Sequence, residues 1–247
     1  NIIVNQIKVL DYFAFDSADG PYYLIRVDKD LSLKKQLIEI EETHPLGRFI
    51  DLDFFCENDK SVFRKELNLS PRQCYLCDKP AIICARNKSH TLTELITYIN
   101  GKVEKYLDQY LEETINLAIM TELNLEDKFG LVTPTSSGSH PDMNFELMMK
   151  AKDAIIPGLK AMFWIGYNQQ DLSLCFKKAK EIGLQTEKAM YEQTGNINAY
   201  KGLIFILGLV VCSAGYILSN NQPIDKIYDN VKEMAKDVFN DMHYQTF

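Results

Sequence analysis

The hydrophobic pattern of this chain turns from mixed to wholly helical at residue 91, and that change governs what it can fold into. Before it, β-branched and aromatic residues come in short runs, at residues 2–9, 12–15 and 22–27, punctuated by turn formers such as Asp19, Gly20 and Pro21. Residues 31–42 carry Leu33, Leu37, Ile38 and Ile40 at helical spacing and predict one amphipathic helix. Residues 49–55 alternate, with Ile50, Leu52 and Phe54 on one side and Asp51 and Asp53 on the other, which predicts a strand. From Thr91 the pattern is helical to the end. Thr91 and Glu94 have the spacing of a capping box. Further helices are expected at 143–167, with Pro157 kinking or splitting it, and at 171–194, 198–220 and 224–242. Gly101 is expected to break the first long helix and to mark the domain boundary. The chain therefore reads as an α+β N-terminal domain, residues 1–100, followed by an all-α helical domain, residues 101–247.

Charge and cysteine usage narrow the function. A net charge of −7 argues against a general nucleic-acid binder, which needs a basic footprint. Residues 60–88 run against that balance, with seven Lys or Arg opposed by Glu66 and Asp78. Such a stretch suits a small polyphosphate or an acidic partner, or is a set of solvated loop charges. The longest apolar run, residues 203–218, is shorter than the roughly 18–20 residues of a membrane span and reads as a buried helix. Six cysteines without framework spacing point to reduced thiols and a cytoplasmic protein, as does the lack of a charged-then-apolar leader. The start at Asn1 rather than Met suggests a fragment or a processed product.

Four constellations could carry chemistry. Asp51 and Asp53, side by side on an extended segment after Gly47, could hold Mg²⁺ with substrate phosphates, or could be the wet face of a half-exposed strand. Cys74, Cys77, Cys84 and His90 match Zn²⁺ in ligand type, although the second half lacks a standard finger spacing. Arg72 and Arg86 nearby would favour thiolates. The same cysteines could be packing residues, with His90 a phosphate contact or general base. In the helical half, a Gly/Ser/Thr/Pro loop feeds towards a helix past His140 and Asp142, an arrangement that welcomes phosphate, or one in which Asp142 is simply an N-cap. Lys201 opens a very apolar helix after a Gly-flanked polar loop, with Glu187 upstream, placed to meet an anion or merely exposed.

Two resemblances follow from these residues. His44-Pro45-Leu46-Gly47-Arg48, Asp51-Leu52-Asp53, Arg64, Pro71-Arg72, Cys74, Cys77, Ala81, Cys84-Ala85-Arg86 and His90 resemble the apo-citrate lyase phosphoribosyl-dephospho-CoA transferase family over about residues 20–100. Gly130-Leu131-Val132, Pro134, Gly138, His140, Asp142-Met143, Pro157, Glu187, Met190, Thr194-Gly195, Asn198 and Lys201-Gly202 resemble the triphosphoribosyl-dephospho-CoA synthase family over about residues 105–247. Both likenesses look partial, short at the start of the first and at the end of the second. The second departs from its family at Thr133, Ser136, Ser137, Ala199 and Tyr200.

What the resemblance implies is a bifunctional, cytoplasmic enzyme of citrate lyase prosthetic-group biosynthesis. One half would join ATP to 3′-dephospho-CoA with loss of adenine. The other would transfer the product to a serine of the acyl carrier (gamma) subunit of citrate lyase, releasing pyrophosphate. Asp51 and Asp53 would then hold Mg²⁺, and Arg48, Arg64, Arg72 and Arg86 would grip the polyphosphate. Asp142 or Glu187 would serve adenine loss, with His140, Asn198 and Lys201 binding substrate. Neither nucleic acid nor membrane is expected as a partner. Two rivals remain: a helical half that is a scaffold or CoA-binding module, and a zinc-stabilised interaction protein.

Overall fold

The computed structural model describes residues 7–17, 20–28, 32–56 and 61–236. The chain divides into two compact units, residues 1–107 and 108–247.

In the first unit, β1 (Val9–Ser17) and β2 (Gly20–Val27) form an antiparallel hairpin, with a bulge between Val9 and Asp11. Most of its large side chains stay exposed, Tyr12, Phe13, Tyr23 and Leu24 among them. The small core lies instead on α1 (Leu33–Thr43), where Leu33, Leu37 and Ile40 pack with Ile7 and take in Val27, Leu52 and Phe54.

The strand expected over residues 49–55 is not there. Gly47–Phe49 is a 3-10 turn, and residues 50–54 belong to no ladder; Phe55 alone bridges to Ser61. The reason lies on α1. Its buried Glu41 accepts the Leu52 N–H at 2.9 Å, and its buried Lys34 donates to the Leu52 carbonyl at 2.8 Å. Both backbone groups of Leu52 are thus satisfied by helix side chains, so no partner strand is required. The alternation survives without the sheet: Leu52 and Phe54 turn inward, Asp51 and Asp53 outward.

Helix α2 (Ala81–Asn87) ends on Lys88 in the left-handed region, φ 47°. Helix α3 (Leu92–Leu123) begins on the expected capping box, Thr91 N–H to Glu94 at 2.8 Å and Glu94 N–H to the Thr91 hydroxyl at 3.2 Å. It runs unbroken through Gly101, where a single glycine costs about 1 kcal/mol, too little to stop a 32-residue helix.

The second unit is a helical bundle of α4 (Phe145–Tyr167), α5 (Leu172–Thr194), α6 (Lys201–Ser219) and α7 (Ile227–Met234) with the end of α3. Pro157 is accommodated inside a continuous α4, and no split occurs. The helix expected over 224–242 is a 3-10 turn (Ile224–Lys226) and then α7; residues beyond 236 lie outside the described set. Helix α6 is long and apolar enough to cross a membrane by length and composition. Here one face of it packs on α4, burying Ile204, Leu209 and Cys212. That crossing is close because Gly166 faces the Cys212 carbonyl and Gly215 faces the Phe163 carbonyl. A methyl group at either would overlap an oxygen of the other helix.

Candidate active site

Around Leu52 the first unit collects its charges. Glu41, 2% exposed, is paired with Arg72 through one oxygen and lies 3.6 Å from Arg64 through the other. Arg64 also pairs with Glu42, and Arg72 with Asp51 at 3.0 Å. Sequence reasoning missed Glu41. A signal existed, since Leu33, Leu37 and Glu41 fall four residues apart, on one face of the helix. The segment's inward-outward alternation leaves Asp51 mostly in solvent yet tied to a guanidinium, and Asp53 exposed.

Beside this network lies a cavity of about 670 Å³, walled by Arg48, Arg72, Tyr75, Lys88 and His90 with the apolar Leu95. Arg48 donates to the Gln73 carbonyl and lies 5.6 Å over the Tyr75 ring, whose hydroxyl donates back to the Arg48 carbonyl at 2.9 Å. Tyr75 in turn stacks on Tyr98 and meets Phe49 edge-on, so Arg48 rests on an aromatic platform. Of the four arginines expected at one site, Arg48 and Arg72 reach this cavity. Arg64 is turned to the two glutamates, and Arg86 is exposed on α2.

Cys74, Cys77, Cys84 and His90 converge, with their ligand atoms all within 4.8 Å of one another. The Cys77 sulfur is 3.5 Å from the Cys84 sulfur and 3.5 Å from His90 Nε2. The Leu76 amide, with that of Cys77, lowers Cys74 to about 7. The arginines are not the cause expected from sequence. Burial, then the two neighbouring sulfurs, pushes Cys84 up to about 11.

The second unit presents two loops. Helix α4 starts at Phe145, capped by Asn144, whose side chain accepts the Leu147 N–H at 2.9 Å. Asp142 is therefore not the N-cap, and His140 and Asp142 precede the helix rather than open it. The loop before them is closed on itself. Thr133 accepts the Ser136 N–H at 3.1 Å, Ser136 accepts the Gly138 N–H at 3.0 Å, and Ser139 N–H reaches the Gly130 carbonyl at 3.1 Å. Gly138, at φ 58°, lies so near Gly130 that any side chain would strike its backbone. These amides are spent internally and are not free for phosphate.

The other loop unites three expected residues. Lys201 lies 3.4 Å from the Glu187 carboxylate, which is 19% exposed, and Asn198 accepts the Lys201 N–H at 3.2 Å. The next residue back, Tyr200, is buried, its hydroxyl without a partner among the described residues, and burial holds that hydroxyl well above its ordinary range. A further group escaped the sequence reading. Lys160 bridges Asp108 at 2.8 Å and Glu112, and Asp108 also accepts the Trp164 N–H at 3.1 Å. The Lys160 ammonium and the indole hold Asp108 below its usual value, and Asp108 with Glu112 holds Lys160 above its own.

One unit thus presents a cationic cavity on an aromatic platform and the other a carboxylate–lysine pair at a helix start, in a chain whose family matches are transferases. The chain belongs to the ATP:dephospho-CoA triphosphoribosyl transferase family, whose model matches residues 108–247, and residues 2–106 match the model of apo-citrate lyase phosphoribosyl-dephospho-CoA transferase. It is 31% identical over 257 residues to Protein CitXG of Leuconostoc mesenteroides subsp. cremoris, covering 96% of this chain and 54% of that protein. Protein CitXG of Haemophilus influenzae is 32% identical over 211 residues, 84% of this chain and 45% of the relative. The chain is also similar to 2-(5''-triphosphoribosyl)-3'-dephosphocoenzyme-A synthase of Haemophilus ducreyi, 32% identical over 143 residues, which are 57% of this chain and 44% of that protein. The chain spans about half the length of these curated relatives.

Proposed function

We propose that this chain serves both steps of citrate lyase prosthetic-group assembly: joining ATP to 3′-dephospho-CoA with loss of adenine, and handing the product to a serine of the acyl carrier subunit. The observation that carries the reading is the convergence of Arg48 and Arg72 on one cavity in the unit that matches the transferase family. Its volume suits a nucleotide-sized ligand, its cations suit a triphosphate, and Tyr75 with Leu95 offers apolar area to the remainder.

In the transfer step the serine oxygen forms a bond to the phosphorus nearest the ribose. The bond to the next phosphate breaks, pyrophosphate leaves with its electron pair, and the hydroxyl proton passes to a base. Guanidiniums suit this because they match the phosphate oxygens two at a time and stay charged as negative charge builds on the leaving group. Asp51 and Asp53 are the oxygen donors offered to a Mg²⁺ ion, which when bound would offset that same charge. Arg72, tied to Asp51 and Glu41, couples the phosphate grip to the carboxylate segment.

The synthase step needs a carboxylate facing a cation-like ribose carbon as adenine departs. Glu187 is favoured over Asp142, since it is half-buried and held by Lys201 while Asp142 is exposed. Lys201, Asn198 and His140 are assigned to the triphosphate side. Cysteines outside any disulfide fit a cytoplasmic setting, and none of the six is disulfide-bonded.

Two assays test the reading. Supplied precursor, Mg²⁺ and apo carrier subunit should raise that subunit's mass by the prosthetic group, and Arg72→Ala should abolish the gain. ATP with dephospho-CoA should yield free adenine, abolished by Glu187→Gln and untouched by Asp51→Ala. A carrier of unchanged mass refutes the transfer step. Labelling without any adenine release leaves the helical unit as a scaffold and refutes the synthase step.

A further inference from the structure

We infer that Cys74, Cys77, Cys84 and His90 form a closed, four-coordinate Zn²⁺ site that fixes the wall of the cationic cavity. The inference does not rest on the transferase reading. It stands on the donor set and on how the backbone delivers it.

Three sulfurs and one imidazole are the ligands of structural zinc, and their soft character disfavours magnesium or calcium. In a tetrahedron with zinc–sulfur bonds of about 2.3 Å and zinc–nitrogen bonds of about 2.0–2.1 Å, neighbouring donors stand roughly 3.5–3.8 Å apart. The two separations resolved here, Cys77 to Cys84 and Cys77 to His90, are both 3.5 Å. A disulfide would need about 2.05 Å. The delivery is as telling. Gln73 bridges Pro80, the Cys74 N–H reaches the Lys79 carbonyl at 2.8 Å and the Ala81 N–H reaches Arg72 at 2.8 Å, which closes a tight loop around Cys74 and Cys77. Helix α2 carries buried Cys84 in from the far side, and the left-handed turn at Lys88 brings His90 back to Cys77. All four ligand positions are filled by side chains, so the site has no open place for substrate and its role is structural.

The consequence reaches the cavity. Arg72 and Tyr75 flank Cys74, and Cys74, Cys84 and His90 themselves line the cavity wall. A metal joining the loop to α2 fixes where Arg72 and Tyr75 stand. It also makes His90 a ligand rather than a general base.

The test uses the whole chain, purified with a thiol reductant and dialysed without chelator. Zinc measured by mass spectrometry should be stoichiometric, and should fall at least fivefold in Cys77→Ser while Asp53→Asn keeps the wild-type content. Because Cys77→Ser could misfold, wild-type protein is also stripped with chelator and titrated with Co²⁺. Tetrahedral cobalt thiolate should give intense visible absorption that Zn²⁺ abolishes. Folded wild-type chain that retains no zinc and develops no cobalt band overturns the inference. So does zinc that persists unchanged in Cys77→Ser, or a Cys77–Cys84 disulfide in freshly purified protein.

Discussion

Replacing Glu41 by glutamine probes the least visible part of the site. The glutamate is 2% exposed and carries three loads: the Leu52 N–H, Arg72 and Arg64. Removing one partner of a buried ion pair costs about 3–5 kcal/mol, because the other charge is left uncompensated. Two facts pull this down. Arg64 and Arg72 remain 19% and 29% exposed, and each keeps a second acid, Glu42 or Asp51. Glutamine also keeps a carbonyl oxygen for Leu52. About 2–3 kcal/mol is therefore expected of Glu41→Gln. Glu41→Ala forfeits a hydrogen bond to a charged acceptor as well, about 1.5–3 kcal/mol more. Asp51→Asn, with a side chain 76% exposed, should cost less than about 1 kcal/mol.

The only tryptophan, Trp164, lies in the other unit, so fluorescence would not read this loss. Amide hydrogen exchange resolved by peptide would. Since about 1.4 kcal/mol is tenfold in an equilibrium, residues 46–56 should open roughly 30- to 150-fold more often in Glu41→Gln, with the Leu52 amide most affected. Peptides of α5 and α6 should be unchanged. If Glu41→Gln exchanges no faster than Asp51→Asn across residues 46–56, Glu41 does not hold that segment and the account of the missing strand fails.

Three further outcomes are expected. In chelator-stripped protein, alkylation of Cys74 should rise through a midpoint near pH 7 while Cys84 stays inert until far higher pH, because only the thiolate reacts; equal rates for the two would contradict the backbone's hold on Cys74. Asp108 has a lowered folded value, so its contribution is present above the ordinary 3.8 and is lost as pH falls from there through the folded value. Trp164 emission should shift over that acid range, and the shift should vanish in Asp108→Asn. Gly215→Ala should lower stability by about 1–3 kcal/mol or more in urea unfolding followed by Trp164, since the added methyl meets the Phe163 carbonyl; a wild-type midpoint would mean that α4 and α6 do not cross so closely.

How much of this was legible in the sequence depended on whether a residue's role was local. The capping box at Thr91 and Glu94, the amphipathic face of α1 and the helical second unit follow from spacing alone, and the structure has them. The Cys–His cluster was legible as a donor set, though its closure depends on a turn at Lys88 that a lysine does not advertise. Residues 49–55 failed for the opposite reason. Alternation reports which side chains face inward, and that was right for Leu52 and Phe54; it is silent on what satisfies the backbone between them. Two charged residues on α1 do so, and a charged side chain in a helix is ordinarily read as solvent-facing. Lys34 and Glu41 are both buried, seven residues apart, two turns along one face, and both reach the same residue, Leu52. A pair of opposite charges at that spacing, interleaved with leucine and isoleucine, is thus a readable sign that a helix is holding an extended segment by its backbone. The aspartates flanking Leu52 are aimed by that grip, so the geometry of the carboxylate pair is set from α1 and not from the segment that carries it.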